Sequence, residues 1–141
     1  MLLHHIGIAV KDIHKANKEY LLRPGFRQAS NIIHDKIQTA KVMFLQVARD
    51  RVLWELVMPD SADSILKGAI NKGGGLNHLC YEVSDIEAYC EKLRDSGLLL
   101  LHSPIEASAF PNRRIAWLMG KDGIPIELIE SGNKEKLKKF S

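Results

Sequence analysis

The stretch "LHHIGIAVKDI" at residues 3–13 returns in altered form as "LNHLCYEVSDI" at residues 76–86. Leu, His, Val, Asp and Ile hold the same places in both, 73 residues apart. Each copy sets a histidine, His5 or His78, inside a short apolar run with the alternation of a strand. An aspartate follows, Asp12 or Asp85, placed to cap a helix. In the first half the helix is expected over 13–22, with Ile13, Ala16, Tyr20 and Leu21 on one face. "RPGF" at 23–26 stops it, and strands are expected at about 27–34, 40–48 and 51–58. The second half repeats the order: a helix at 86–95, an apolar run at 98–101, and strands at 114–120 and 124–130. Gly25 matches Gly97, and "WEL" at 54–56 matches "IEL" at 126–128, at an offset of 72. A β-α-β-β-β unit therefore occurs twice, the pattern of a duplication. The expected division is a first module at 1–58, a linker with a short helix at 59–75, a second module at 76–131 and a basic tail at 132–141.

The bulk properties narrow the class. Of 141 residues, 45% are apolar and 26% charged, in the range of globular chains rather than disordered ones. A net charge of +3, partly in the tail, is not the concentrated basic face that nucleic-acid binding needs. No apolar run approaches the ~18 residues of a membrane span. Neither a basic leader nor a small-residue cleavage site precedes the first strand, so the expected location is cytoplasmic. Cys80 and Cys90 fall on different elements and make no disulfide framework; both are expected as buried free thiols.

Two glutamates complete the chemistry. Glu55 in "VLWELV" and Glu127 in "IPIELI" are carboxylates in strands that otherwise read as buried. A buried ionised carboxylate needs a cation, donors or a metal beside it. Alternation sides His5 with Gly7 and Ala9, and Glu55 with Leu53 and Val57. If the two units pair about a pseudo-twofold axis, their first and last strands converge on one cavity. His5, Glu55, His78 and Glu127 then form a ligand set for a divalent transition metal. His4 is expected on the face opposite His5, and His14, His34 and His102 as surface or packing residues, since none recurs in the repeat.

Over residues 3–131 the chain resembles the vicinal oxygen chelate superfamily of glyoxalases, methylmalonyl-CoA epimerases, extradiol dioxygenases and fosfomycin or bleomycin resistance proteins. The segments that carry the likeness are "LHHIGIAVKDI", "WELVMP", "SADSILKGAINKGGGLNHLCYEVSDIEA" and "IPIELIE", nearest to the epimerase and glyoxalase I branches. The resemblance implies an α+β fold of two tandem βαβββ modules forming a curved, partly open barrel around a metal. It also implies that His5, Glu55, His78 and Glu127 are the metal positions, with zinc, nickel, cobalt or manganese as the ion. The activity it implies is that of an isomerase or lyase: a carbonyl is polarised, an enolate forms, and Glu127 or Glu55 removes the α-proton. The expected substrate is a small molecule, an acyl thioester or hemithioacetal, and the expected assembly a homodimer. The chain departs from the epimerases at 34–47, where Gln38 is followed by Thr39 instead of glycine and no glutamate follows in that strand. Arg113 and Arg114, next to Phe110 and Pro111, are candidates to hold an anionic substrate tail, with Phe110 shaping the pocket wall. A tailoring enzyme on a biosynthetic thioester, or a protein that sequesters a drug or metabolite, are the alternatives.

Overall fold

The computed structural model of the chain describes residues 1–132, so the expected tail lies, apart from Gly132, outside the described residues. The first half runs β1 (Leu2–Ala9), α1 (Ile13–Leu21), β2 (Phe26–Gln28), β3 (Ile33–Asp35), β4 (Ala40–Val47) and β5 (Leu53–Pro59). A short helix, α2 (Lys67–Asn71), leads into the second half. That half runs β6 (Gly75–Val83), α3 (Ile86–Asp95), β7 (Leu99–Leu100), β8 (Ile105–Glu106), β9 (Arg114–Met119) and β10 (Pro125–Glu130). Both long helices start where local chemistry says they should. Asp12 accepts from the backbone N–H groups of His14 and Lys15, and Asp85 from that of Ala88.

All ten strands form one open α+β sheet in the order β2-β4-β5-β1-β6-β10-β9-β7, with β3 also on β4 and β8 on β9. Within each half the first strand lies parallel to the last, β1 beside β5 and β6 beside β10. The halves join inside one chain, where β1 and β6 run antiparallel. The two long helices, α1 and α3, cover one side of the sheet. Ile13 and Ala16 pack on Met43, Leu45 and Leu56, while Ile86 and Cys90 pack on Ala116, Leu118 and Leu128. The alternate residues, among them Ala9, Phe44, Val57, Cys80 and Trp117, form a separate apolar layer on the other side. The histidines and glutamates lie in that layer.

Two local departures have clear causes. The single strand expected at 27–34 is broken into β2 and β3 because Ser30 intervenes: its Oγ accepts from the Phe44 N–H at 2.9 Å, in place of a backbone carbonyl. Thr39 takes a glycine-like left-handed backbone, with φ of 52°. Its hydroxyl holds the strained turn by accepting from the Ile65 N–H at 2.9 Å and meeting Ser64 Oγ at 3.0 Å.

Candidate metal centre

Strand register explains why four residues distant in sequence meet. Across β4, β5, β1 and β6 one row reads Phe44, Glu55, Gly7, His78. Across β9, β10, β6 and β1 the matching row reads Trp117, Glu127, Cys80, His5. Each row therefore carries an aromatic ring, a carboxylate, a small residue and an imidazole. Gly7 is required at its place: a Cβ there would fall inside the His78 ring. The rows bring all four expected ligands together and bury them, His5 at 1%, His78 at 0%, Glu55 at 2% and Glu127 at 4% exposure.

The donor atoms lie close. His5 Nε2 is 3.1 Å from Glu127 Oε1, 3.4 Å from His78 Nε2 and 3.7 Å from Glu55 Oε2. His78 Nε2 is 3.5 Å from Glu55 Oε1. Ligands about 2.1 Å from a shared ion stand about 3.0 Å apart at octahedral corners and about 3.4 Å apart at tetrahedral ones. The observed spacings, 3.1–3.7 Å, lie near those values, so the set fits a divalent ion with nitrogen and oxygen donors. His5, Glu55 and His78 have donor atoms all within 4.8 Å of one another. Glu127 joins them through His5.

The electrostatics of the cluster point the same way. Burial, then the repulsion of Glu127 and Asp35, pushes the Glu55 carboxyl well above its ordinary value, although a hydrogen bond from Gln38 opposes the rise. Burial also raises Glu127, opposed by the imidazole of His78. Burial lowers His78 to about 3, so its imidazole is neutral at physiological pH. Two crowded carboxyls beside the neutral imidazole of His78 are what a divalent cation would stabilise in their ionised form.

Supporting groups hold the donors. Asn77 Oδ1 lies 2.8 Å from His78 Nδ1, and His4 Nδ1 lies 2.8 Å from His5 Nδ1. The expectation that His4 points away from His5 is corrected: His4 is buried against it. The β1–β6 register slips at residue 4 and again at residue 77, equivalent places in the repeat. A bulge at each re-aims the residue preceding the histidine. His14 and His34 are exposed as expected, while His102 has a buried Nε2. Gln38 donates to Glu55 at 3.2 Å and to Asp35 at 2.8 Å. Asp35 also accepts from Ser108 Oγ at 3.3 Å and from the N–H groups of Ile37 and Gln38. Cys80, buried and free, has its thiol pushed up by burial.

Phe110 sits where a pocket wall was expected. Its ring packs on His4 at 5.0 Å and Phe44 at 5.3 Å, and it lines a small cleft with Asp35, Glu55 and Glu127. Arg113 and Arg114 are placed differently. Arg113 is buried, pairs with Glu82 at 2.9 Å and donates to the Glu130 carbonyl. Arg114 pairs with Glu130 at 2.9 Å and Glu87 at 2.6 Å. Neither arginine lines that cleft or the cavity of about 310 Å³ bounded by Gln38, Asn77 and Trp117.

Residues 4–117 match the Glyoxalase/Bleomycin resistance protein/Dioxygenase superfamily, and the chain belongs to it. Among named relatives, human mitochondrial methylmalonyl-CoA epimerase is 30% identical over 130 residues, covering 89% of this chain and 72% of that one. The solved structure of methylmalonyl-CoA epimerase from Mycobacterium tuberculosis is 30% identical, with a TM-score of 0.75 over 93% of this chain and 88% of that one. A variant of the Streptomyces coelicolor methylmalonyl-CoA epimerase, solved with 2-nitronate-propionyl-CoA, is 26% identical. Its TM-score is 0.75, over 94% of this chain and 99% of that one.

Proposed function

We propose that this chain is a divalent-metal-dependent isomerase that removes and returns the α-proton of an acyl thioester, as an epimerase of the kind it resembles would. The observation that carries the reading is the convergence of two imidazole Nε2 atoms and the buried Glu55 carboxylate between β1 and β6, with the buried Glu127 carboxylate 3.1 Å from His5 Nε2. His5, Glu55, His78 and Glu127 would hold the ion, with zinc, nickel, cobalt and manganese all suited to such donors. When bound, the ion would polarise the thioester carbonyl and make the adjacent proton acidic.

The chain's own carboxylates divide the remaining work. Glu55 is held by the Gln38 amide and serves as an anchor. Glu127 instead meets His5 Nε2 and the Cys80 thiol, and burial gives it a higher proton affinity than an ordinary carboxylate, which suits a general base. Asp35 is engaged by four donors and orients Gln38. Phe110 shields the base from water. With both arginines held by Glu82, Glu87 and Glu130, the anchoring of an anionic tail is not assigned to them.

The test is α-deuterium incorporation into methylmalonyl-CoA by metal-loaded protein in D2O, above the protein-free rate. The parent is expected to exchange, and Glu127→Gln to do so about 10²–10⁴-fold more slowly while retaining metal. Exchange by the variant at the parent rate removes Glu127 as base. No exchange by the parent on this thioester or on a hemithioacetal overturns the reading.

A further inference from the structure

The two sides of the β1–β6 seam differ in their donors. The offset of 73 residues makes His4 the equivalent of Asn77 and Cys80 the equivalent of Gly7. Across the seam Gly7 is paired with His78, and Cys80 with His5. The repeat therefore surrounds His78 with an amide and a bare backbone, and His5 with an imidazole and a thiol. Both departures from the repeat add a metal-ligating side chain, and both add it beside His5.

These three side chains form a group of their own. One donor atom each of His4, His5 and Cys80 lies within 4.8 Å of the other two, and all three residues are buried. His4 Nδ1 and His5 Nδ1 are 2.8 Å apart, close to the spacing of two ligands on one ion. Zinc bonds of about 2.3 Å to sulfur and about 2.0 Å to nitrogen would set Sγ about 3.5 Å from each nitrogen. The thiol thus needs to close by no more than about 1.3 Å. His5 turns Nε2 toward Glu127 and His78, at 3.1 and 3.4 Å, and Nδ1 toward His4. Phe110 packs on both imidazoles, at 5.0 Å from His4 and 6.3 Å from His5, and one ring separates the group from the cleft that reaches Glu127.

We infer that His4, His5 and Cys80 form a second metal-binding set, one that takes a thiophilic ion of the zinc class. Its two nitrogens and one sulfur are softer than the nitrogens and carboxylate oxygens of the first set. A bound ion holds Cys80 as the thiolate, and the thiol proton passes to water. A harder ion such as manganese stays with the carboxylates. The set shares His5 with the first one but uses neither Glu55 nor His78, and it does not depend on the isomerase reading.

Titration with cobalt tests it, because a cobalt–thiolate bond gives a near-ultraviolet charge-transfer band that nitrogen and oxygen donors do not. The band is expected in the parent, and manganese added at the same concentration should leave it in place. Cys80→Ala and His4→Asn, the latter restoring the residue of the other half, should each lose it. The doubly substituted Glu55→Gln, His78→Ala protein should keep it. Far-ultraviolet dichroism checks that each variant is folded, and Glu55→Gln alone replaces the double variant if that one is not. No band in the parent overturns the inference, and that arm needs no variant. A band that survives Cys80→Ala comes from Cys90 and overturns it too. A band lost from folded protein without Glu55 and His78 would place the thiolate in the first set and overturn the second. The expected bands in a parent that shows no α-proton exchange would sustain this set and sink the isomerase reading instead.

Discussion

Asn77 stands one position before His78 in a strand, where regular alternation would turn the two side chains to opposite faces. The bulge at residue 77 brings its side-chain amide oxygen, Oδ1, to 2.8 Å from His78 Nδ1. An acceptor there keeps the proton on Nδ1 and leaves the Nε2 lone pair free for a cation. Asn77→Ala should weaken zinc binding by about 10- to 100-fold without unfolding the protein, as read by chelator competition alongside thermal melting. His4 is the counterpart in the other half, and sequence alternation misplaces it for the same reason. The four candidate ligands were legible because the repeat shows them twice. Their supports were not, because a bulge leaves no mark in the apolar pattern.

At the level of elements, the pairing of β1 with β6 does most to position the centre. The opposed residues are Gly7 with His78 and His5 with Cys80, a small residue facing each imidazole. Gly7→Ala would force the His78 ring or the strand itself to move. The expected result is a loss of about 1–3 kcal/mol in denaturant melts, as for an overpacked core, together with weakened zinc binding. Unchanged zinc affinity in that variant would mean that the ring does not have to stay where the register puts it. Both helix starts were legible from Asp12 and Asp85, since capping is a local interaction. The break between β2 and β3 was not. It depends on Ser30 meeting Phe44, a contact made only when the strands are side by side. The two-residue strands β7 and β8 likewise exist through pairing with β9 and carry no periodicity of their own.

Over the whole molecule, duplication gives a sheet in which two like halves meet at an antiparallel seam, and the donor set lies along that seam. The arrangement makes stability depend jointly on metal and pH. In metal-free protein the Glu55 and Glu127 carboxyls sit above their ordinary 4.5 and so bind more protons folded than unfolded. Their contribution to stability is present below 4.5 and is lost as pH rises through the raised values. His78 works in the other direction: its pKa falls from 6.5 to about 3, so its contribution is present above 6.5 and is lost as pH drops through that interval. A divalent ion takes the carboxyls ionised and the imidazoles neutral, and must displace the carboxyl protons at low pH. Its stabilising effect should therefore grow as pH rises. The most direct measurement is the shift in melting temperature on adding zinc at pH 5 and at pH 8, for the parent and for the doubly substituted His5→Ala, His78→Ala protein. The expected result is a rise in the parent that is larger at pH 8 and absent from the double variant at both pH values. An equal rise in parent and double variant, or none in the parent at pH 8, would contradict a metal centre at the β1–β6 seam.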